Sequence, residues 1–300
     1  MNENSQPKQM LIGPPSPVEI AALKTKYLSA LKASEQTIHE FFEKHSEVFP
    51  LPFYIGHHLQ WDALISKFPL DTSLITDFVY VTRTSNTFLV VLVELEKPSK
   101  RIFTPKDRQI AISPEFAAAQ GQIFGWQSYV RDNRKAVLDR LSRMMPRGEW
   151  GGTIDFRYVL VYGREAEFIG RQDRKDRFNS FSDQEIHYLT YDSVWGRFER
   201  NQEPRKRHIL KLIKDRFTFK VLADQETHIF GRLGPDRFKV SSAHRRILIS
   251  NGYEIDAWEG GCLLGWNNKY SHCPEALSFP AQDKISKKHK LPAPKRRRIE

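Results

Sequence analysis

Apolar residues return at near-helical spacing from Val18 to Lys32, at Ile20, Leu23, Tyr27, Leu28 and Leu31, and predict an amphipathic helix. Ser34 then reads as the N-cap of a second helix over Glu35–Lys44, with Ile38, Phe41 and Phe42 as its buried stripe and Glu35, Glu40 and Glu43 on its polar side. The pattern next changes to short apolar runs. Thr76–Thr82 (TDFVYVT) and Phe88–Leu95 (FLVVLVEL) flank the turn-forming Thr84-Ser85-Asn86 and predict a β-hairpin. The second run is almost continuously apolar and ends in charges, the pattern of a central strand buried on both faces with functional groups at its mouth. Helical spacing resumes over Glu115–Asn133, where Phe116, Ile123, Trp126 and Val130 are candidate packing residues, and extends through Lys135–Met144. Tyr158–Tyr162 (YVLVY) predicts another buried strand, stopped by Gly163.

Composition shifts near Asn201, where Glu203-Pro204 opens the basic stretch Arg205–His208 before a predicted helical segment reaching Phe217. Beyond it, residues 220–280 predict a small α+β unit with Trp258 and Trp266 in its core and a turn at Gly260-Gly261. Four Pro residues among polar neighbours make residues 1–18 an extended or disordered arm. The expected organisation is therefore an arm (1–18), a main domain (19–200), an accessory domain (201–280) and a basic tail (281–300). A chain of 300 residues, 40% hydrophobic and 28% charged, can build such a core.

Net charge is +11, and eight Lys and Arg residues against Glu300 place +7 of it in residues 284–300. That end is either a solvated tail or a salt-sensitive contact to nucleic-acid phosphates. No apolar run is long enough to span a bilayer and the polar start is unlike a signal peptide, so no membrane partner and a cytoplasmic location are expected. Cys262 and Cys273, with ten residues between them, match neither a zinc pair nor a disulfide scaffold and are read as core or surface residues of a reducing compartment.

The chemistry converges on the hairpin. Asp77 lies within its first strand and Glu94 near the end of its second, so strand pairing can bring both carboxylates to one edge of a sheet. Two carboxylates and a main-chain carbonyl such as that of Leu95 suit Mg²⁺, a hard ion that takes oxygen ligands and keeps several waters. Glu94 and Glu96 share one face of the strand, whereas Lys97 points away unless the strand breaks at Pro98. Composition alone leaves a plainer alternative open, with Asp77 capping a turn and Glu94–Lys97 forming a solvated strand end. His57 and His58 precede a loop and are set aside as surface residues.

Six segments in order resemble the Shedu family of bacterial anti-phage proteins, whose nuclease core belongs to the PD-(D/E)xK superfamily. They are SEQTIHEFFEKHSEVF, TDFVYV, VVLVELEKPSKRIFT, AAAQGQIFGWQSYVRDN, VLVYGR and LTYDSVWGRF, together spanning residues 34–198. The resemblance implies an α/β fold with a restriction-endonuclease-like mixed sheet flanked by helices; the smaller C-terminal α+β region and a basic disordered tail are expected from the pattern and charge of the chain beyond it. It implies a homo-oligomer that hydrolyses DNA with Mg²⁺ or Mn²⁺. Asp77 and Glu94 match the motif's metal-binding acids, Gln122 its helical glutamine, and Glu35, ahead of Glu40, the acid of the first core helix. The motif's lysine position holds Glu96, with Lys97 displaced by one. An acid there can bind a second ion or act as a base, or Lys97 can reach around. The alternative is a noncatalytic DNA-binding or regulatory module that retains the fold. Arg164, Tyr191 and Asp192 also recur in the family pattern and are read as structural.

Overall fold

A computed structural model describes residues 15–55, 59–105, 110–145, 152–201, 205–223, 226–265 and 269. His57, His58, Trp266, Cys273, the arm before residue 15 and the basic tail lie outside them. In chain order the elements are helices α1 (Pro17–Leu31) and α2 (Glu35–Lys44) and strands β1 (Ala63–Pro69), β2 (Ile75–Arg83) and β3 (Thr87–Leu95). Helices α3 (Pro114–Asp132) and α4 (Arg134–Leu141), β4 (Thr153–Val161), α5 (Gln172–Asn179), β5 (Ile186–Leu189) and α6 (Tyr191–Asn201) follow. The chain continues with β6 (His208–Ile213), β7 (Arg216–Val221), β8 (Phe238–Lys239), α7 (Ser242–Ser250) and α8 (Ile255–Glu259). The result is an α/β protein whose eight strands form a mixed sheet in the order β5-β4-β3-β2-β1-β6-β7-β8.

The described residues divide into two compact units, one within Met1–Arg140, Trp150–Leu212 and Phe219–Gln225, the other within Leu141–Glu149, Ile213–Thr218 and Glu226–Glu300. In the larger unit β1, β2 and β3 pair antiparallel in sequence, while β3-β4, β4-β5 and β1-β6 are parallel. Alternate residues of the central strands, Phe78 and Tyr80, Val91, Val93 and Leu95, Val159 and Val161, face one core with Ile38, Phe41 and Phe42 of α2 and Val194 and Trp195 of α6. A side chain as fully buried as Phe42 contributes about 1.5–3 kcal/mol. Phe116 of α3 packs against Phe178 of α5 and against Tyr162 and Tyr188. Ser34 caps α2 through its side chain, which accepts from Thr37 N at 3.1 Å, and Phe116, Ile123, Trp126 and Val130 are all buried on α3.

Three expectations need correction. The stretch before Phe217 is strand, not helix: His208-Ile209-Leu210 is buried and pairs in parallel with Ala63-Leu64-Ile65. Its apolar positions 209, 210, 212 and 213 satisfy helical spacing as well as a buried strand, so periodicity alone could not separate them. Glu43, expected on the polar side of α2, is buried at 6% exposure among partners described below. Cys262 is not a free thiol.

In the smaller unit the first half of β7 pairs in parallel with β8, and Phe230 gathers Phe238, Tyr253 and Trp258 edge-on. Trp258 donates its indole N–H to Leu233 O at 2.7 Å, and Gly260 and Gly261 form the expected turn.

Candidate active site

The β2-β3 register pairs Phe78 with Val93 and so sets Asp77 across from Glu94 at the mouth of the sheet. Asp77 is buried, and its Oδ2 accepts from Leu95 N at 2.7 Å, tying the first acid to the strand that carries the second. Its Oδ1 meets Lys67 Nζ and stands 3.4 Å from His39 Nδ1. Burial opposes the Asp77 charge, but His39, Lys67 and the Leu95 amide outweigh it and hold the carboxyl below its ordinary range.

Glu94 is treated in the opposite way. Gln122 of α3 donates to its Oε1 at 2.5 Å, while its Oε2 is buried without a hydrogen-bond partner. Burial first, then the charge of Asp77, drives its carboxyl well above the usual range, and Glu96 adds to the push. An orphaned, buried carboxylate oxygen facing a second carboxylate is a place short of positive charge.

Glu96 is held on both sides of its backbone, its N–H donating to Val161 O at 2.9 Å and its carbonyl accepting from Tyr191 Oη at 2.6 Å. Its side chain pairs with Lys100. Gly163, at φ +60°, lets the Lys97–Ile102 turn sit against the end of β4, because a Cβ there would lie 3.0 Å from Lys100 O. Glu35 starts α2 beside this cluster. Its carboxyl is raised by partial burial and by the charges of Asp77 and Glu96. Glu40 bonds Gln36 at 2.8 Å instead. The structure thus gathers Asp77, Glu94, Glu96, Gln122 and Glu35, while Lys97 is exposed.

Two cations that sequence reasoning passed over, Lys67 and Lys100, approach the cluster instead. Lys67 sits in β1, opposite Asp77, with a left-handed φ of +49° that a non-glycine residue rarely adopts. The run ALISKFP carries the signal of a buried strand, which would have placed Lys67 next to β2. Behind Asp77 lies a second network. His39 Nε2 is 3.1 Å from both Glu43 Oε1 and Ser66 Oγ, and Glu43 Oε1 also accepts from Ser66 at 2.5 Å and from Lys220 at 2.6 Å. Burial alone would neutralise His39; Asp77 and Glu43 reverse that and raise its pKa. Arg164 and Asp192 form a two-pronged pair at 2.9 and 2.7 Å that braces the neighbouring turn.

Among the described residues no group of three or more His, Cys, Asp or Glu is placed to hold a metal ion. Mg²⁺ does not require one, since it is commonly held by one or two carboxylates with retained water. The unpartnered Oε2 of Glu94, the adjoining Asp77 and the all-oxygen donor set fit such an ion. Also among the described residues, no helix is long and apolar enough to cross a membrane.

Residues 32–195 match the family described as Shedu protein SduA, C-terminal. No curated protein matches the chain.

Proposed function

The chain belongs to the Shedu family, which implies a role in anti-phage defence, and on that premise we propose that it is a metal-dependent DNA endonuclease cutting at the Asp77–Glu94 cluster. The observation that carries this reading is the buried Oε2 of Glu94, left without a partner across from Asp77. We read the sheet as the restriction-endonuclease-like arrangement, with its acids on the adjacent strands β2 and β3 and with α3 between β3 and β4 in sequence.

Asp77 and Glu94 would hold Mg²⁺ or Mn²⁺, with the Leu95 carbonyl and water completing the oxygen shell, and the ion would supply positive charge to the scissile phosphate as its own charge grows. Gln122 fixes the Glu94 carboxyl by its hydrogen bond to Oε1. Lys67, paired with Asp77, stands in for the lysine that the strand lacks at Glu96 and can neutralise a phosphate oxygen. Glu96, anchored by Lys100, is the acceptor for the proton of the attacking water, with Glu35 as the second acid at hand. Lys97 has no role in this reading.

Purified protein incubated with linear and with supercoiled DNA, in Mg²⁺ or Mn²⁺ and in EDTA, tests the proposal beside Asp77→Ala and Glu94→Ala. Metal-dependent cleavage lost in both variants is expected. Cleavage retained in both would remove this site. DNA binding that ignores EDTA and yields no product under any divalent ion would make the chain a noncatalytic DNA-binding module. The same reading expects a homo-oligomer, and light scattering that gave the mass of a monomer would refute it.

A further inference from the structure

A cavity of mixed lining, sharing no residue with the acid cluster, lies at the carboxyl end of β5. Its volume is about 330 Å³, within the range of small-ligand sites, and its walls come from β5, α5, the start of α6 and the turn after β4. Carboxyl ends of parallel strands are where open α/β sheets bind small ligands. Tyr188, on its floor, is in register with Leu160, which is in register with Glu94. Two strand spacings, roughly 10 Å, therefore separate the two backbone positions.

The cavity is provided with cations that the fold leaves uncommitted. Arg197 is half-buried, and its only side-chain partner among the described residues is His187, whose Nε2 is 3.2 Å from Nη2. Among the described residues no carboxylate pairs with it. Burial and nearby Arg200 depress the Arg197 pKa, and burial and Arg197 keep His187 on the neutral side, so the imidazole accepts from the guanidinium rather than neutralising it. An arginine held out of water without an anion is costly unless one arrives. Lys175 and Asn179, four residues apart on one face of α5, line the same space, and neither side chain has a described partner. Glu165, the one acid on the wall, accepts from Thr190 Oγ1 at 3.1 Å. Phe168 and Phe178 add flat apolar surface, their rings 5.4 Å apart.

We propose that this cavity binds a sugar phosphate monoester that also carries a flat base, that is a free mononucleotide, with Arg197 and Lys175 taking the phosphate and the Phe168–Phe178 wall taking the base. The guanidinium offers a planar fork to phosphate oxygens, and Lys175, on α5, adds a point charge. The site stands independently of the nuclease reading, because none of its residues belongs to the acid cluster.

Calorimetric titration of the full chain in EDTA with AMP, GMP, adenosine and inorganic phosphate tests it. The expected result is saturable binding of AMP or GMP, at least tenfold weaker binding of adenosine and of phosphate alone, and a loss of tenfold or more in Arg197→Gln. Lys175→Gln alters only an exposed side chain and should weaken nucleotide binding while the thermal melt stays as in the wild type. Asp77→Ala should bind as the wild type does. Failure of every nucleotide to bind would overturn the proposal, as would phosphate binding as tightly as AMP. Nucleotide binding that Asp77→Ala abolishes and that both cavity variants retain would place the ligand in the acid cluster and would equally overturn it.

Discussion

Glu43 and Glu94 are the same residue type in one unit, both largely withdrawn from water, and they end in opposite states. Glu43 accepts from Ser66 and Lys220 and contacts His39, and although burial works against its charge these partners lower its pKa to about 2. Among the described residues Glu94 has a single donor, Gln122, and a neighbouring carboxylate, and its pKa rises. Asp77 stands between the two, linked to the first network through His39 and set across from Glu94. A carboxylate supplied with fixed donors is a structural anchor. One denied them is left needing a charge from outside, and that is the physical mark of a metal or substrate site.

Glu43→Gln should break the anchored side of this comparison most strongly, costing about 2–3 kcal/mol at pH 7 because Lys220 and His39 lose their shared counter-charge. Its folded pKa lies below the unfolded value near 4.5, so this stability is present above pH 4.5 and is lost as pH falls through about 2. Urea denaturation of wild type and variant should therefore diverge at pH 7 and converge toward pH 2. Equal midpoints at pH 7 would show that the network contributes nothing.

Glu94→Gln should act with the other sign. The folded pKa of Glu94 lies above its unfolded value, so the folded state binds the extra proton and loses stability as pH rises from 4.5 toward that higher value. In EDTA at pH 8 the variant should be more stable than the wild type by about 1–2 kcal/mol, with no difference at pH 4. A variant less stable at pH 8 would mean that the Glu94 carboxylate is already satisfied. The smallest effects separate the lysines. Lys67→Met should slow DNA cutting about tenfold, or about 1.4 kcal/mol, and Lys97→Met by less than twofold. Cleavage assays giving the reverse order would return the motif's lysine role to Lys97.

Legibility followed sequence distance. Helix α2 and its cap, the hairpin and α3 were readable because Ser34, the Ile38-Phe41-Phe42 stripe and the apolar runs are local signals. Asp77 and Glu94 were readable as a pair because one short hairpin joins them. Glu43 was misjudged because its partner Lys220 is 177 residues away, and nothing within α2 announces it. Lys67 was missed because β1 was not recognised, so the strand that faces β2 from its other side was absent from the reading. The strand at β6 failed for a related reason: its parallel partner β1 is supplied by a distant segment, and its apolar spacing is ambiguous without it. Lys100 lay inside a quoted motif, yet only the turn after β3 brings it back to Glu96.

Glu94 and Asp77 would form a cation site because the Oε2 of Glu94 is left without a partner. Titrating Mn²⁺ into wild type and Glu94→Gln, with free Mn²⁺ counted by electron paramagnetic resonance, tests it most directly. Saturable binding by the wild type is expected, weakened at least tenfold in the variant, whose fold is intact by thermal melt. Equal Mn²⁺ affinity in the two proteins, or none in the wild type, would contradict it.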